Sequence, residues 1–256
     1  MDSAVVDQLI ALNRRFYDAY APDFAATRRR IQPGVGRALD GLPDQGGWLD
    51  LGCGSGSLAV EWLRRGRQSA YLGLDFSSGL LAEARASLAD LPGRGLPGGG
   101  LPIGERVEFR QADLGRAGWS AGLAGPFSGA VCFAVLHHLP SADLRRALLA
   151  ETAGLLEAGA LLALSVWQFQ HSPKLMARRL PWETVGLDPG QLEPSDTLLD
   201  WRSRPEDAAG LRYVHLFEPA ELRELAAGCG FSVINEYASD GQGGRLGLYQ
   251  VWRKAA

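Results

Sequence analysis

Apolar side chains recur along this chain with two alternating periods. Residues 3–30 carry Val6, Leu9, Ile10, Phe16, Tyr17 and Tyr20 at helical spacing until Pro22 interrupts, which predicts one or two helices ahead of the core. Short, nearly unbroken apolar runs follow at 46–51, 69–75, 106–111, 128–133 and 160–167, each the length of a strand. The last is apolar enough to be buried on both faces. Helical segments fall between them at 58–65, 78–89 and 144–156, the second opening on a Ser pair suited to capping and ending before Pro92. Strands alternating with crossover helices predict an α/β doubly wound parallel sheet.

The rhythm changes after Trp167. Residues 168–212 are rich in Pro, Trp and Arg without clean periodicity, which predicts an insertion over the C-terminal edges of the strands, where such sheets bind ligands. A helix at 219–228 and strands at 231–238 and 246–253 then supply a terminal antiparallel hairpin. The Gly- and Pro-rich stretch 91–104 reads as a surface loop without a function of its own. The expected organisation is a helical segment over 1–45 and one main domain over 46–256.

Length and charge narrow the classes. A chain of 256 residues, 46% hydrophobic, can bury one large core. A formal charge of −3 gives no global attraction to nucleic acid or to an anionic membrane, so any RNA contact must be a local patch. Cys53, Cys132 and Cys229 lack C-x-x-C spacing, which argues against a disulfide framework and a structural zinc site. No apolar run approaches a membrane span and no signal-peptide core opens the chain, so a soluble, cytoplasmic protein is expected.

The chemistry concentrates in Trp48-Leu-Asp-Leu-Gly-Cys-Gly-Ser-Gly56. A strand that ends in an acid and breaks into alternating glycines leaves bare backbone against a ligand. Ser57 stands where a dinucleotide fingerprint would carry its last glycine. Asp50, ahead of the turn, would repel a pyrophosphate but accept hydrogen bonds from an ammonium group. Asp75, at the end of the next strand, can engage two adjacent ribose hydroxyls at once. Together Asp50, Gly52, Gly54, Gly56 and Asp75 suit a cationic amino-acid nucleoside.

These residues resemble motif I of the Rossmann-like S-adenosyl-L-methionine-dependent methyltransferases, and the element order is similar to their seven-stranded sheet with a terminal hairpin. The resemblance implies S-adenosyl-L-methionine as cofactor, with Asp75 and Phe76 at the ribose, Asp113 and Leu114 at the adenine, and Ala134 beside the methyl donor. Phe127 to His138 forms a strand leaving into paired histidines and resembles motif IV. His138 or His137 is the candidate to move a proton, although strand-end histidines also simply hydrogen-bond backbone. With no third ligand near in sequence, neither reads as a metal ligand. The N-terminal helix resembles the lid of such enzymes, making Tyr17 and Arg28 candidates for the cofactor's carboxylate.

A narrower resemblance rests on Phe16-Tyr17-Asp with Phe24-Ala-Ala-Thr27-Arg28, Ala134-Val-Leu-His-His138, Leu164-Ser-Val-Trp167, Arg212-Tyr-Val-His-Leu-Phe-Glu-Pro-Ala-Glu-Leu222 and Tyr249-Gln-Val-Trp-Arg-Lys254. It is to the tRNA wobble-uridine methyltransferases, which esterify 5-carboxymethyluridine. The chain departs from their pattern after Thr27-Arg28, where Ile31-Gln-Pro-Gly34 replaces the family's Trp-Pro pair. The resemblance implies a tRNA acceptor, and eukaryotic members work with a small zinc-binding activating subunit. Tyr213 and His215, with Arg178, Arg179, Arg202 and Arg204, are candidates to hold an anionic nucleotide. A small-molecule acceptor deprotonated by His138, or a cofactor-binding regulator without catalysis, are the alternatives.

Overall fold

The computed structural model describes residues 1–27, 30–91, 106–202 and 210–256. In chain order the elements of the core are α1 (Ser3–Thr27), α2 (Pro33–Asp40), β1 (Gly47–Leu51), α3 (Ser57–Arg64), β2 (Ala70–Asp75), α4 (Ser78–Ala89), β3 (Val107–Gln111), β4 (Phe127–Phe133), α5 (Ala142–Leu155) and β5 (Leu156–Trp167). The insertion follows with α6 (Pro173–Met176), β6 (Arg179–Leu180), β7 (Asp196–Trp201) and β8 (Gly210–His215), and the chain closes with α7 (Pro219–Gly228), β9 (Phe231–Ser239) and β10 (Gly247–Lys254).

Seven strands pair in the order β3-β2-β1-β4-β5-β10-β9. The first five run parallel, and β10 is antiparallel to both β5 and β9. The expected sheet is therefore present, hairpin included. Its order reverses direction between β1 and β4, and the crevice at that switch point lies outside the carboxyl ends of the strands. Helices cover both faces. On one, α5 and α7 contribute Leu148, Leu149, Leu222 and Ala226 to a core with Leu49, Leu162 and Trp252. On the other, α2, α3 and α4 pack Leu39, Trp62 and Leu81 against Trp48, Tyr71 and Val131. Trp62 sits with its ring centroid 5.5 Å from both Trp48 and Tyr71, so one aromatic stack pins α3 to β1 and β2.

The insertion departs from expectation. It carries a second, three-stranded antiparallel sheet in the order β6-β7-β8. Its periodicity is masked because polar side chains stand at buried positions: Asp196, Thr197, Arg212 and His215 are all buried. Asp196 and His215 take part in an ionic clasp onto the main domain. The His215 Nδ1 lies 2.7 Å from Asp196 Oδ1 and its Nε2 lies 3.0 Å from Glu221 Oε1 on α7. Arg145 of α5 donates to Glu193 at 2.5 Å, and Glu193 accepts the Ala142 N–H at 2.9 Å. Tyr213, fully buried, donates to Asp196 at 2.7 Å.

Helix α1 bridges the two sheets. Val5, Leu9 and Leu12 pack on Leu198, Tyr213, Trp182 and Leu187 of the insertion. The helix kinks at Tyr20 (φ −115°, ψ 16°), two residues before Pro22, which has no N–H to donate back along the helix. Among the described residues no helix is long and apolar enough to cross a membrane.

The clasp carries a pH signature. Burial alone would depress the His215 pKa, but hydrogen bonds to Asp196 and Glu221 outweigh it and hold the group above its usual 6.5. A raised folded-state pKa contributes stability that is complete below the unfolded value and is lost as pH rises through the folded value. His215→Gln is therefore expected to lower the melting temperature most at or below pH 6.5, with the gap to wild type narrowing in alkaline buffer. A pH-independent gap in thermal unfolding would show that no protonated imidazole is involved.

Candidate functional site

The glycine turn after β1 is held by β2. The N–H groups of Gly52 and Cys53 both donate to the Leu74 carbonyl, at 2.8 and 2.9 Å. Gly52 has φ +78°, and a Cβ there would stand 2.3 Å from Val135 Cγ2. Two conditions thus exclude a side chain at once. Nothing lies within 4 Å of where a Cβ of Gly54 would stand, so bare backbone faces open space. Gly56 serves differently: it caps α3 at φ +76° and lies against Ala84 of α4, spacing two helices without lining the cavity.

Asp75 closes this end. Its Oδ2 accepts the Gly54 N–H and its Oδ1 the Ser77 N–H, both at 2.9 Å. The carboxylate is 6% exposed, and burial raises its pKa against those backbone hydrogen bonds. Asp50 is buried as well and accepts the Tyr71 hydroxyl. Burial pushes its pKa up to about 7, the Tyr71 hydrogen bond opposing and the neighbouring Asp75 adding. Two carboxyl groups poised in a low-dielectric floor favour a cationic ligand, whose charge would pull both toward the ionised form.

A cavity of about 330 Å³ runs along the strand ends above this floor. It is bordered in the order of the sheet: Asp113 and Leu114 after β3, Phe76 after β2, Ala134 and Val135 after β4, Ser165 and Trp167 on β5, and Tyr249 on β10. Ala134 takes φ +57°, rare without glycine, while its N–H donates to the Ser165 carbonyl at 3.0 Å. The roof is one face of α1: Ile10, Asn13, Arg14 and Tyr17, at the i, i+3, i+4, i+7 spacing of a helix.

His138 lines the cavity, held on both sides. Its Nδ1 lies 3.2 Å from the Tyr213 carbonyl, which can only accept, so Nδ1 carries a proton. Nε2 lies 2.8 Å from the Tyr17 hydroxyl, which donates to it. Asn13 completes the junction. Its amide donates to the carbonyls of His138 (3.0 Å) and Tyr213 (3.2 Å) and accepts the Tyr213 N–H (2.8 Å).

The structure thus brings Asp50, Gly52, Gly54, Asp75, Phe76, Asp113, Leu114, Ala134, Tyr17 and His138 to one cavity. It reassigns several others. His137 is fully buried, accepts the Trp167 N–H at 3.3 Å and stacks on the Trp167 ring, so its position supports the strand end. Tyr17 faces His138 and the ring of Phe76, the junction of the two halves of the cavity. Asp113 is engaged by Arg14 and, at 2.9 Å, by Arg116. Tyr213 and His215, expected to meet a nucleotide, are buried in the clasp instead. Arg202 pairs with Asp200 at 3.6 Å, and Arg28 and Arg204 lie outside the described residues. Asn13, Arg14 and Ser165 did not stand out in the sequence; the helical spacing of Ile10, Asn13, Arg14 and Tyr17 is the signal that could have found the first two. Among the described residues, Glu193, Asp196 and His215 are the one His/Cys/Asp/Glu group with metal-ligand spacing, and Arg145 already pairs with Glu193 there.

Residues 24–236 match a family model described as a methyltransferase domain. A protein of Encephalitozoon cuniculi named "putative methyltransferase" is 29% identical over 223 residues, 86% of this chain and 87% of that protein. A tRNA (carboxymethyluridine(34)-5-O)-methyltransferase of Arabidopsis thaliana is 28% identical over 153 residues, 60% of this chain but only 32% of that protein. Among solved structures, a SAM-dependent methyltransferase of Methanosarcina mazei aligns with a TM-score of 0.65 at 23% identity, covering 88% of this chain and 99% of its own. The glycopeptide N-methyltransferase MtfA, solved with S-adenosyl-L-methionine, aligns at 0.61 and 23%, covering 88% and 93%. The structural likenesses concern the fold.

Two substitutions test the floor of the cavity. Asp75→Ala is expected to weaken S-adenosyl-L-methionine binding by roughly 1–3 kcal/mol through loss of charged hydrogen bonds; unchanged affinity in calorimetry would remove Asp75 from the site. Asp50, with its folded pKa raised to about 7, costs the ligand-free protein stability as pH rises from its ordinary 3.8 toward that value. Asp50→Asn should therefore raise the ligand-free melting temperature above pH 7, by about 2–4 °C per kcal/mol relieved. The same variant should bind the cofactor more weakly and lose the proton release that accompanies binding at pH 6–7. Proton release that persists in the variant would assign it elsewhere.

Proposed function

The chain belongs to the methyltransferase domain family and is an S-adenosyl-L-methionine-dependent methyltransferase, and from that premise we propose that it esterifies the carboxymethyl group of 5-carboxymethyluridine at the wobble position of tRNA. The bound cofactor supplies an electrophilic methyl group on a sulfonium. Asp50 and the glycine turn would face its amino-acid end, Asp75 its ribose, and Asp113 with Leu114 its adenine.

One observation carries the choice of acceptor. Both ring nitrogens of His138 are committed to protein, Nδ1 to Tyr213 and Nε2 to Tyr17, so the histidine at the acceptor end has no lone pair left to take a proton from a hydroxyl or amine. A carboxylate, with a pKa near 4, is already a nucleophile at neutral pH and needs no such base. The chain's task is then to align the acceptor in line with the sulfonium and to exclude water. Helix α1 roofs the cavity, and Leu139, Val166, Trp167 and Leu175 line it with apolar surface. The 28% identity to the Arabidopsis enzyme over 153 residues, and the resemblance of the blocks around Tyr17, His138 and Tyr213 to the wobble-uridine methyltransferases, support the same reading.

Incubation with methyl-labelled cofactor and tRNA bearing 5-carboxymethyluridine should place label in nuclease-sensitive material that mild base releases, as a methyl ester requires. Label that appears only with a metabolite extract would replace this reading with a small-molecule acceptor. His138→Ala is expected to keep kcat within about tenfold of wild type, whereas loss of a general base costs ~10²–10⁴-fold.

A further inference from the structure

We propose that Arg30 is the residue that selects an anionic acceptor, a specificity-determining group at the mouth of the cavity; the inference rests on the carboxylate reading above. Among the described residues, an anion must enter a cavity lined by the carboxyl groups of Asp50, Asp75, Asp113 and Asp240. Of the described lysines and arginines, Arg14 and Arg30 line it. Arg14 is spent on Asp113. Arg30 is exposed and, among the described residues, makes no ion pair, so its charge is available to a ligand.

Its place in the fold points to the acceptor side. Along the sheet, the residues read for the adenine follow β3, those for the ribose β2 and those for the amino-acid end β1, leaving β5 and β10 for whatever receives the methyl group. Arg30 belongs to the segment leading into α2, and α2 is fastened to the far side of that order. The Gly34 N–H donates to Asp240 Oδ1 at 2.9 Å, the Tyr237 hydroxyl of β9 donates to the Gly34 carbonyl at 2.8 Å, and Asp240 also accepts the Tyr249 hydroxyl of β10 at 2.5 Å. Ile31 packs into the core beside α2, which limits how far its neighbour can move. Gln32, also on the cavity wall, adds an amide donor. A guanidinium fork matches a carboxylate with two parallel hydrogen bonds, a fit that an ammonium does not reproduce.

The experiment measures transfer to tRNA bearing 5-carboxymethyluridine by wild type, Arg30→Ala and Arg30→Lys, together with cofactor affinity by calorimetry. Arg30→Ala is expected to raise the acceptor KM about 10–100-fold, the range of one charge-assisted contact, with cofactor Kd within about twofold of wild type. Arg30→Lys should restore only part of the loss. An unchanged acceptor KM in Arg30→Ala, beside an active wild type, would overturn the assignment. So would weakened cofactor binding with the acceptor KM unmoved, since the guanidinium would then serve the cofactor's carboxylate. A wild type that transfers nothing to this tRNA refutes the carboxylate reading itself, and the role of Arg30 falls with it.

Discussion

A carboxylate removed almost wholly from water has to be satisfied by the protein around it, and Asp75 meets that demand with the N–H groups of Gly54 and Ser77. Much of the surrounding architecture depends on this one group. It fastens the turn after β1 to the end of β2, so the glycine loop and the start of α4 share a single anchor. The turn cannot relax by other means, because Gly52 lies against Val135 and Gly56 against Ala84. Each carboxylate oxygen of Asp75 takes one of these N–H groups, and the residue lines the cavity.

Asn13 plays the corresponding part at the other end. One side-chain amide satisfies both backbone groups of Tyr213 and the carbonyl of His138, joining α1, β8 and the turn after β4. That junction makes the insertion part of the cavity's support and not a separate appendage. It also explains the double face of α1. Val5, Leu9 and Leu12 turn to the insertion, while Ile10, Arg14 and Tyr17 turn to the cavity. Arg14 clamps the same helix to Asp113 at the opposite end, so the roof is held across the length of the cavity.

Charge is divided along that length. The floor holds Asp50 near its midpoint and Asp75 raised above its usual range, an arrangement that stores unfavourable desolvation until a cation enters. Near His138 the cavity wall is formed by Leu139, Val166 and Trp167, with the histidine held between Tyr213 and Tyr17. The cost of assembling this floor falls on the ligand-free protein.

How much of this was legible in the sequence follows from distance along the chain. The strands and helices of the main sheet, the glycine turn and the convergence of Asp50 and Asp75 on one cavity were readable, because each rests on a short apolar run, a local turn or two consecutive strands of one motif. By itself the sequence determined the fold and the cofactor. Only the tertiary structure decided that His137 is a buried support, that Tyr213 and His215 belong to a clasp, and that Asn13 holds the roof. The last depends on partners 125 and 200 residues apart, and all of them on polar side chains buried where the pattern of hydrophobic positions would have placed none. Local periodicity reports which face of an element is apolar; it carries no record of which distant backbone group a buried amide or imidazole will meet.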